Sequence, residues 1–214
     1  MNYPNLIVLA RHGQSEGNLI SPDDVSFESK ANHRFSLTEL GVKQCKSTGE
    51  YLRSTFGGFD AYFHSSFSRT KESLGFFYPD AAGIEDPRLD EWWRGIWHSL
   101  SAENIERHYP AEKAVMEREG RYHYRAPGGE SCPDVELRIR SFIATLRADW
   151  SYRNVFISGH GNWIILFDKI MRGLSVDEAM GRCKRHVVKN ASVTAYRFQW
   201  GDTAPKLTME HVVP

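Results

Sequence analysis

Two short stretches of this chain end in the same way, and that repetition restricts the folds open to it. Leu6 to Ala10 (LIVLA) is an unbroken apolar run that empties into Arg11-His12-Gly13. A second predicted strand, Asn154 to Ile157, empties into Ser158-Gly159-His160-Gly161. A short run without polar alternation suits a strand covered on both faces, as in a parallel sheet flanked by helices. In open α/β sheets, ligands bind just beyond the carboxyl ends of the strands. If the two strands are neighbours, His12 and His160 face each other there. The flanking glycines would let backbone and ligand come close.

The remaining chain alternates between helical and extended patterns. Thr38 to Arg53 has helical spacing, with Leu40, Val42, Cys45 and Leu52 as inward positions. Asp60 to His64 reads as a second short strand, and Ser68 to Phe77 as a helix stopped by Pro79. Pro110 splits two short helices, Ser101 to His108 and Ala111 to Glu119. Ser131 to Trp150 reads as a long amphipathic helix after the turn Pro127-Gly128-Gly129. A helix from about Asn162 to Met171 follows the second His-Gly pair. Val187-Val188 and Ser192 to Phe198 read as late strands, and Lys206 to Val213 as an edge strand. This alternation predicts the α/β class, a three-layer αβα sandwich.

With 214 residues and neither a low-complexity linker nor a long repeat, the chain reads as a single domain over 1–214. Its least regular part, about 90–130, carries Trp92, Trp93, Trp97, Tyr109, Tyr122 and Tyr124. Such an excursion reads either as a cap over a pocket or as a satellite apolar cluster.

Charge and cysteine content exclude several classes. Lys plus Arg number 27 and Asp plus Glu number 27, so the formal net charge is zero. A protein that coats nucleic acid would carry a basic excess. Cys45, Cys132 and Cys183 are odd in number, far apart and form no C-x-x-C pair, which argues against a disulfide scaffold or a zinc ribbon. Reduced thiols and the lack of a signal-like N-terminus point to the cytoplasm. The apolar stretch Trp163 to Phe167 is broken by Asp168 and Lys169. It falls far short of the about 20 residues a membrane span needs, so no membrane partner is expected.

The chemistry of the two histidines can be narrowed further. No H-x-H, H-x-x-x-H or cysteine partner lies near either, so zinc spacing is missing and no metal is expected. Ser158-Gly159-His160-Gly161 is not the G-x-S-x-G elbow of a serine hydrolase. Arg11 and Arg69 stand just past predicted strand ends, and Asn18 follows His12 within one loop. Guanidinium groups grip phosphate oxygens in a fork and stay charged at any working pH. The basic cluster Arg182, Lys184, Arg185, His186 and Lys189 reads as a solvated face before a strand rather than as an extension of the pocket.

Six motifs, in order, resemble those of the histidine phosphatase superfamily (phosphoglycerate mutase-like, branch 1). Arg11 to Asn18 (RHGQSEGN) resembles its R-H-G-x-[ST]-x-x-N octet. Leu37 to Gly41 resembles L-T-x-x-G, and Ser65 to Arg69 resembles S-x-x-x-R. Leu89 to Trp97 resembles the segment that carries the family's proton donor. Gly128-Gly129-Glu130-Ser131 resembles the G-G-E-S turn, and Ser158 to Gly161 the second-histidine motif. The stretch 120–130 is similar to a plant and fungal branch of phosphoglycerate mutase-like proteins. Three positions depart from the usual pattern: Ser66 where many relatives have Pro, Arg94 in place of an aromatic, and Asn162 in place of Gly.

The resemblance implies a mostly parallel mixed sheet with one antiparallel edge strand. It implies His12 as a nucleophile that becomes phosphohistidine, with Arg11, Arg69 and a charged His160 around the phosphate. Asn18 would be a supporting substrate contact. Glu91 would be the general acid, a role that needs its pKa raised toward neutrality: burial against Trp92, Trp93 or Trp97 would push it up and the nearby arginines down. Glu85, Asp86 and Asp90 lie close enough to be confused with it. The implied activity is hydrolysis of a small phosphomonoester with no cofactor and no nucleic-acid partner. The alternatives are a cofactor-dependent phosphoglycerate mutase and a catalytically silent interaction module of the same fold.

Overall fold

A computed structural model of the chain describes residues 3–19, 30–98, 100, 102–199 and 202–214. Six strands form one sheet: β1 (Leu6–Arg11), β2 (Ala61–His64), β3 (Gly83–Glu85), β4 (Asn154–Gly159), β5 (Val193–Arg197) and β6 (Lys206–Val212). Their order across the sheet is β3-β2-β4-β1-β5-β6. The α-helices are α1 (Glu16–Leu19), α2 (Glu39–Phe56), α3 (Ser68–Phe77), α4 (Ala102–His108), α5 (Pro110–Glu119), α6 (Cys132–Asp149), α7 (Gly161–Arg172) and α8 (Val176–Arg185).

Side chains alternate across a strand, and β1 feeds two cores accordingly. Leu6, Val8 and Ala10 pack with Cys45 and Leu52 of α2 and with Leu74 and Phe77 of α3. Ile7 and Leu9 pack with Ile139, Phe142 and Leu146 of α6 and with Trp163 and Phe167 of α7. The sheet is therefore the middle of three layers, as the apolar runs predict. Leu146, Ile139 and Phe142 are fully buried; burial of such a side chain contributes roughly 1.5–3 kcal/mol.

The two histidine-bearing strands are neighbours. β1 and β4 pair in parallel, with Ala10 opposite Ser158 and Arg11 opposite Gly159. His12 and His160 therefore leave the sheet side by side, and the His12 N–H still donates to the Gly159 carbonyl at 3.0 Å. One strand runs against the rest, but it is not at the edge. β5 pairs antiparallel with β1, and β6 then pairs antiparallel with β5 outside it.

Other expectations are corrected. Val187 and Val188 form no strand. The stretch before them is helix α8, opened by a capping box in which Ser175 and Glu178 serve each other's backbone N–H. Leu40 is exposed, and α2 turns small residues inward instead: Gly41, Cys45, Thr48 and Gly49, with Leu52. Pro110 does not merely separate two helices; it opens α5, where its missing N–H is harmless. Ser101, the expected start of the first of those helices, lies outside the described residues. β3 is three exposed residues, too short for a sequence pattern to reveal.

The small residues on α2 have a purpose that the L-T-x-x-G spelling hides. Thr38 caps the helix, accepting from the Gly41 N–H at 3.0 Å. One turn in, Gly41 and Gly13 bring the loop after β1 into backbone contact with α2. A Cβ on Gly41 would overlap the Gln14 carbonyl, and one on Gly13 would overlap that of Gly41. A glycine in an exposed helix normally costs about 0.5–1 kcal/mol relative to alanine. Gly75, in α3, has nothing within 4 Å of a built Cβ. We expect Gly75→Ala to raise the unfolding free energy by about that amount. Gly41→Ala, although also helical, should lower it by roughly 1–3 kcal/mol through overpacking. Denaturant unfolding of the two variants checks the opposite signs; stabilisation by both would show that the loop does not rest on α2.

Candidate active site

His12 is the first residue beyond β1, 3% exposed, and its ring is held in one orientation. Nδ1 lies 2.6 Å from the Gly13 carbonyl oxygen, which can only accept, so Nδ1 carries the proton. Nε2 is left with its lone pair, and the Arg69 Nε–H donates to it at 3.3 Å. Burial, then Arg69, then Arg11 push the His12 pKa well below the ordinary 6.5. The ligand-free ring is neutral.

His160 caps the N-terminus of α7 and is fully buried. Its ring centroid lies 5.2 Å from that of His12. Nε2 is 2.8 Å from the Ser65 hydroxyl, while Nδ1 is buried and has no partner. Burial, Arg69 and His12 lower its pKa well below 6.5 as well. Without a ligand His160 is therefore neutral; the charged imidazole expected around a phosphate concerns the bound state.

Two arginines flank the pair. Arg69 sits in the first turn of α3, with its guanidinium 4.6 Å from the Phe67 ring centroid. Its Nη1 donates to the Asn32 carbonyl at 2.9 Å. Burial brings its pKa down to about 10, so it stays charged at neutral pH. Arg11 donates through Nη1 to the Val188 carbonyl at 2.7 Å, and its buried Nε has no partner. The site thus holds two buried nitrogens that lack partners, Arg11 Nε and His160 Nδ1. Buried polar groups in a settled protein are rarely left so.

Glu91 faces Arg11 across a small cleft also lined by Gly161, Asn162, His186 and Val188. Its carboxylate is held by backbone N–H groups. Oε1 accepts from the backbone N–H of Trp92 at 2.9 Å and of Trp163 at 3.1 Å, and Oε2 from that of Asn162 at 3.2 Å. Two of these donors belong to the first turn of α7, so the side chain rests on the positive end of a helix. The neighbouring acids are spent elsewhere. Asp90 accepts from the Ser66 N–H and hydroxyl, Asp86 pairs with Arg88 at 2.6 Å, and Glu85 lies on the exposed strand β3. Ser66, where relatives have Pro, is thus the anchor for Asp90.

Asn18 does not reach the histidine rings. It is exposed, and its Oδ1 accepts from the Ser15 N–H at 3.0 Å and from Asn190 Nδ2 at 3.3 Å. Asn190 was not legible as a site residue, yet its Nδ2 also donates to the His12 carbonyl at 3.1 Å. Ala191 beside it adds a backbone N–H to the same oxygen at 3.1 Å and has φ +55°, a left-handed conformation rare outside glycine.

Arg138 was also missed. It forks onto Glu130 at 2.8 and 3.0 Å and donates to the carbonyls of Arg88, Asp90 and Glu91. One side chain thereby ties the G-G-E-S turn to the segment bearing Glu91. Gly95 and Gly129 make the crossing possible. A Cβ on Gly129 would lie 2.8 Å from the Gly95 nitrogen, and Gly95 has φ +51°.

The basic cluster divides. Lys184, Arg185 and Lys189 are exposed, as expected of a solvated face, while His186, also exposed, lines the cleft beside Arg11 and Glu91. Arg182 instead pairs with Glu210 at 2.6 Å and Asp168 at 3.5 Å. Among the described residues, Asp168, Glu210 and His211 are the one trio of potential metal ligands in mutual reach. Arg172 and Arg182 already neutralise both of its carboxylates, and neither His12 nor His160 belongs to it.

No helix among the described residues is long and apolar enough to cross a membrane. The model of the histidine phosphatase superfamily (branch 1) matches residues 7–209. A phosphoglycerate mutase-like protein of Arabidopsis thaliana, AT74, is 31% identical over 72% of this chain and 50% of its own length. The chain thus spans about half the length of that relative. A phosphoglycerate mutase of Schizosaccharomyces pombe is 27% identical over 84% of this chain and 85% of its own length. A solved putative alpha-ribazole-5'-P phosphatase of Escherichia coli superposes with a TM-score of 0.78 at 17% identity, covering 99% of this chain and 98% of that one. At that identity the likeness speaks for the fold alone. The family match spans nearly the whole chain, and the ordered motifs converge on one cleft beyond β1 and β4: this chain belongs to the histidine phosphatase superfamily, branch 1.

Proposed function

We propose that the chain hydrolyses a small phosphomonoester through a phosphohistidine on His12. The observation that carries this reading is the state of His12 Nε2. It is a buried, unprotonated ring nitrogen, with Arg69 on it and two partnerless nitrogens, Arg11 Nε and His160 Nδ1, close by. A phosphate dianion would satisfy the empty donors while presenting phosphorus to the lone pair.

In the first step Nε2 attacks phosphorus in line and the P–O bond to the alcohol breaks. Arg11, Arg69 and His160 carry the charge on the equatorial oxygens. Loss of one preorganised donor of this kind typically slows turnover about 10²–10³-fold. Glu91 gives a proton to the leaving oxygen. In the second step water attacks the phosphohistidine, Glu91 takes the water's proton, and inorganic phosphate leaves with His12 restored. No step in this route calls on a metal or an organic cofactor. We place the reaction in the cytoplasm, where the buried thiols of Cys45, Cys132 and Cys183 would stay reduced. The 90–130 excursion belongs, on this reading, to one domain with the core and covers the substrate.

A phosphoglycerate mutase would use the same groups, and the Schizosaccharomyces pombe relative bears that name. Only about forty residues separate Glu91 from Glu130, a span that suits the phosphatase reading better. The deciding assay compares phosphate release from p-nitrophenyl phosphate with primer-dependent isomerisation of 3-phosphoglycerate. Release without primer is the expected result; isomerisation without release would establish the mutase. A protein inert in both assays, and on every ester of a broad panel, would be the silent module.

Two further outcomes follow from the geometry. Glu91→Gln should slow esters with poorly leaving alcohols by about 10²–10⁴-fold and p-nitrophenyl phosphate far less, because nitrophenolate needs no proton to depart. Equal losses on both would remove Glu91 from the acid role. For pH, burial and two cations depress the His12 pKa, so the ring remains neutral as pH falls through 6.5 and protonates only well below it. Nitrogen-15 NMR of the ligand-free protein at pH 6 should find Nε2 unprotonated. A ring that titrates at or above pH 6.5 would mean that its arginine surroundings do not act as described.

A further inference from the structure

The 90–130 excursion lines a partly open cavity of about 170 Å³ to which none of His12, Arg11, Arg69 and His160 contributes a wall. An apolar cavity of about 150 Å³ can hold a benzene ring. Its walls are mostly apolar: Trp92, Trp97, Leu100, Ile105, Met116 and Tyr124. Trp97, Ile105 and Tyr124 form a small core of their own, with the Trp97 and Tyr124 rings 4.7 Å apart. The satellite cluster anticipated from the sequence is therefore real, but it is hollow.

Four charged groups border this hollow, and two are already matched. Lys113 is held by Glu106 at 2.7 Å, and Glu130 is forked by Arg138. Arg94 and Arg121 have no hydrogen-bond or ion-pair partner among the described residues; Arg121 lies 5.6 Å from the Trp92 ring centroid. The two guanidiniums repel each other, and burial together with Arg121 lowers the Arg94 pKa, against the pull of Glu91. Two cations on one mostly apolar wall, neither with an ion-pair partner among the described residues, are better accommodated when an anion joins them.

Two contacts tie the cavity wall to Glu91: Trp92, which lines the cavity, donates its backbone N–H to Glu91 Oε1 at 2.9 Å, and Arg138 joins Glu130, also on the wall, to the carbonyls of Asp90 and Glu91. His98, stacked on Trp93 with centroids 5.8 Å apart, is depressed to about 4 by burial and by both Arg94 and Arg69. The excursion thus bridges from the hollow to the arginine beside His12.

We propose that this cavity is the leaving-group subsite, built for a phosphomonoester whose alcohol carries a ring-sized apolar body and a second anionic group, bound between Arg94 and Arg121. The inference rests on the phosphatase reading for the identity of the reacting phosphate. It also accounts for a departure in the sequence, since Arg94 stands where relatives have an aromatic residue.

Hydrolysis-inert phosphonates test the subsite without requiring turnover. Calorimetric titration would compare 4-(phosphonomethyl)benzoate with benzylphosphonate, which differ only in the carboxylate. The wild-type protein should bind the carboxylated probe at least about tenfold more tightly. Arg94→Leu and Arg121→Leu should each bring the ratio to within about twofold, and Arg94→Lys should retain part of it. Equal binding of the two probes by the wild type, or an unchanged ratio in both leucine variants, would overturn the proposal. Thermal unfolding of each variant identifies any that fails to fold, and the other then carries the test. If the ratio behaves as expected but no ester is hydrolysed, the subsite stands and the phosphatase reading falls.

Discussion

The hydrogen bond from His12 Nδ1 to the Gly13 carbonyl is the contact on which the proposed chemistry depends. It spends the one ring proton on the backbone, and so leaves Nε2 as a lone pair inside a protein interior. Everything around it serves to keep that arrangement. Gly13 can offer its carbonyl because its own N–H is taken by the Ser73 hydroxyl at 3.1 Å and because Gly41 lets the loop lie flat on α2. The His12 carbonyl is held from the other side by Asn190 and Ala191. A ring fixed at both ends of its residue loses little freedom when a substrate arrives, which is the entropic side of positioning.

Electrostatics then sets what such a site can accept. Arg11, Arg69 and two histidines share a buried volume, and burial, with the cations adding to it, keeps both rings neutral. On the proposed reading neutral His12 is ready to attack, while His160 Nδ1 and Arg11 Nε lack partners among the described residues. An incoming dianion would then meet all of these at once. Glu91 is held by three backbone donors, two of them in the first turn of α7. Arg138 acts through position rather than contact, by clamping the carbonyls of residues 88, 90 and 91 to the Glu130 turn.

Much of this was legible in the sequence, and the rest was hidden for identifiable reasons. The unbroken run LIVLA announced a doubly covered strand, and the repeated His-Gly ending announced a shared cleft; both depend only on local pattern. Arg11, His12, Arg69, Glu91 and His160 do converge, because each lies within a residue or two of an element's end. Lys206 to Val213 was legible as an edge strand, but that the antiparallel strand β5 lies inside it, against β1, was not, because the pairing of Leu6 with Arg197 joins the two ends of the chain and no local pattern encodes it. Asn190 and Arg138 escaped notice because their work is done on backbone carbonyls, to which any long polar side chain could donate. α8 could have been found: Ser175 and Glu178 spell a capping box, but the basic residues behind it drew the reading toward a solvated face. The state of His160 could not have been read at all, since its neutrality comes from burial and from cations brought near only by the fold.

The central claim is covalent, and it can be observed directly. Protein mixed with excess phosphomonoester and quenched within one turnover into alkali, where phosphohistidine survives, should carry phosphate on His12. Phosphorus NMR and peptide mass mapping would place it as a phosphoramidate on Nε2, and His12→Ala should carry none. Steady phosphate release by the wild type with no label on His12 at any quench time, or label on another residue, would contradict the account.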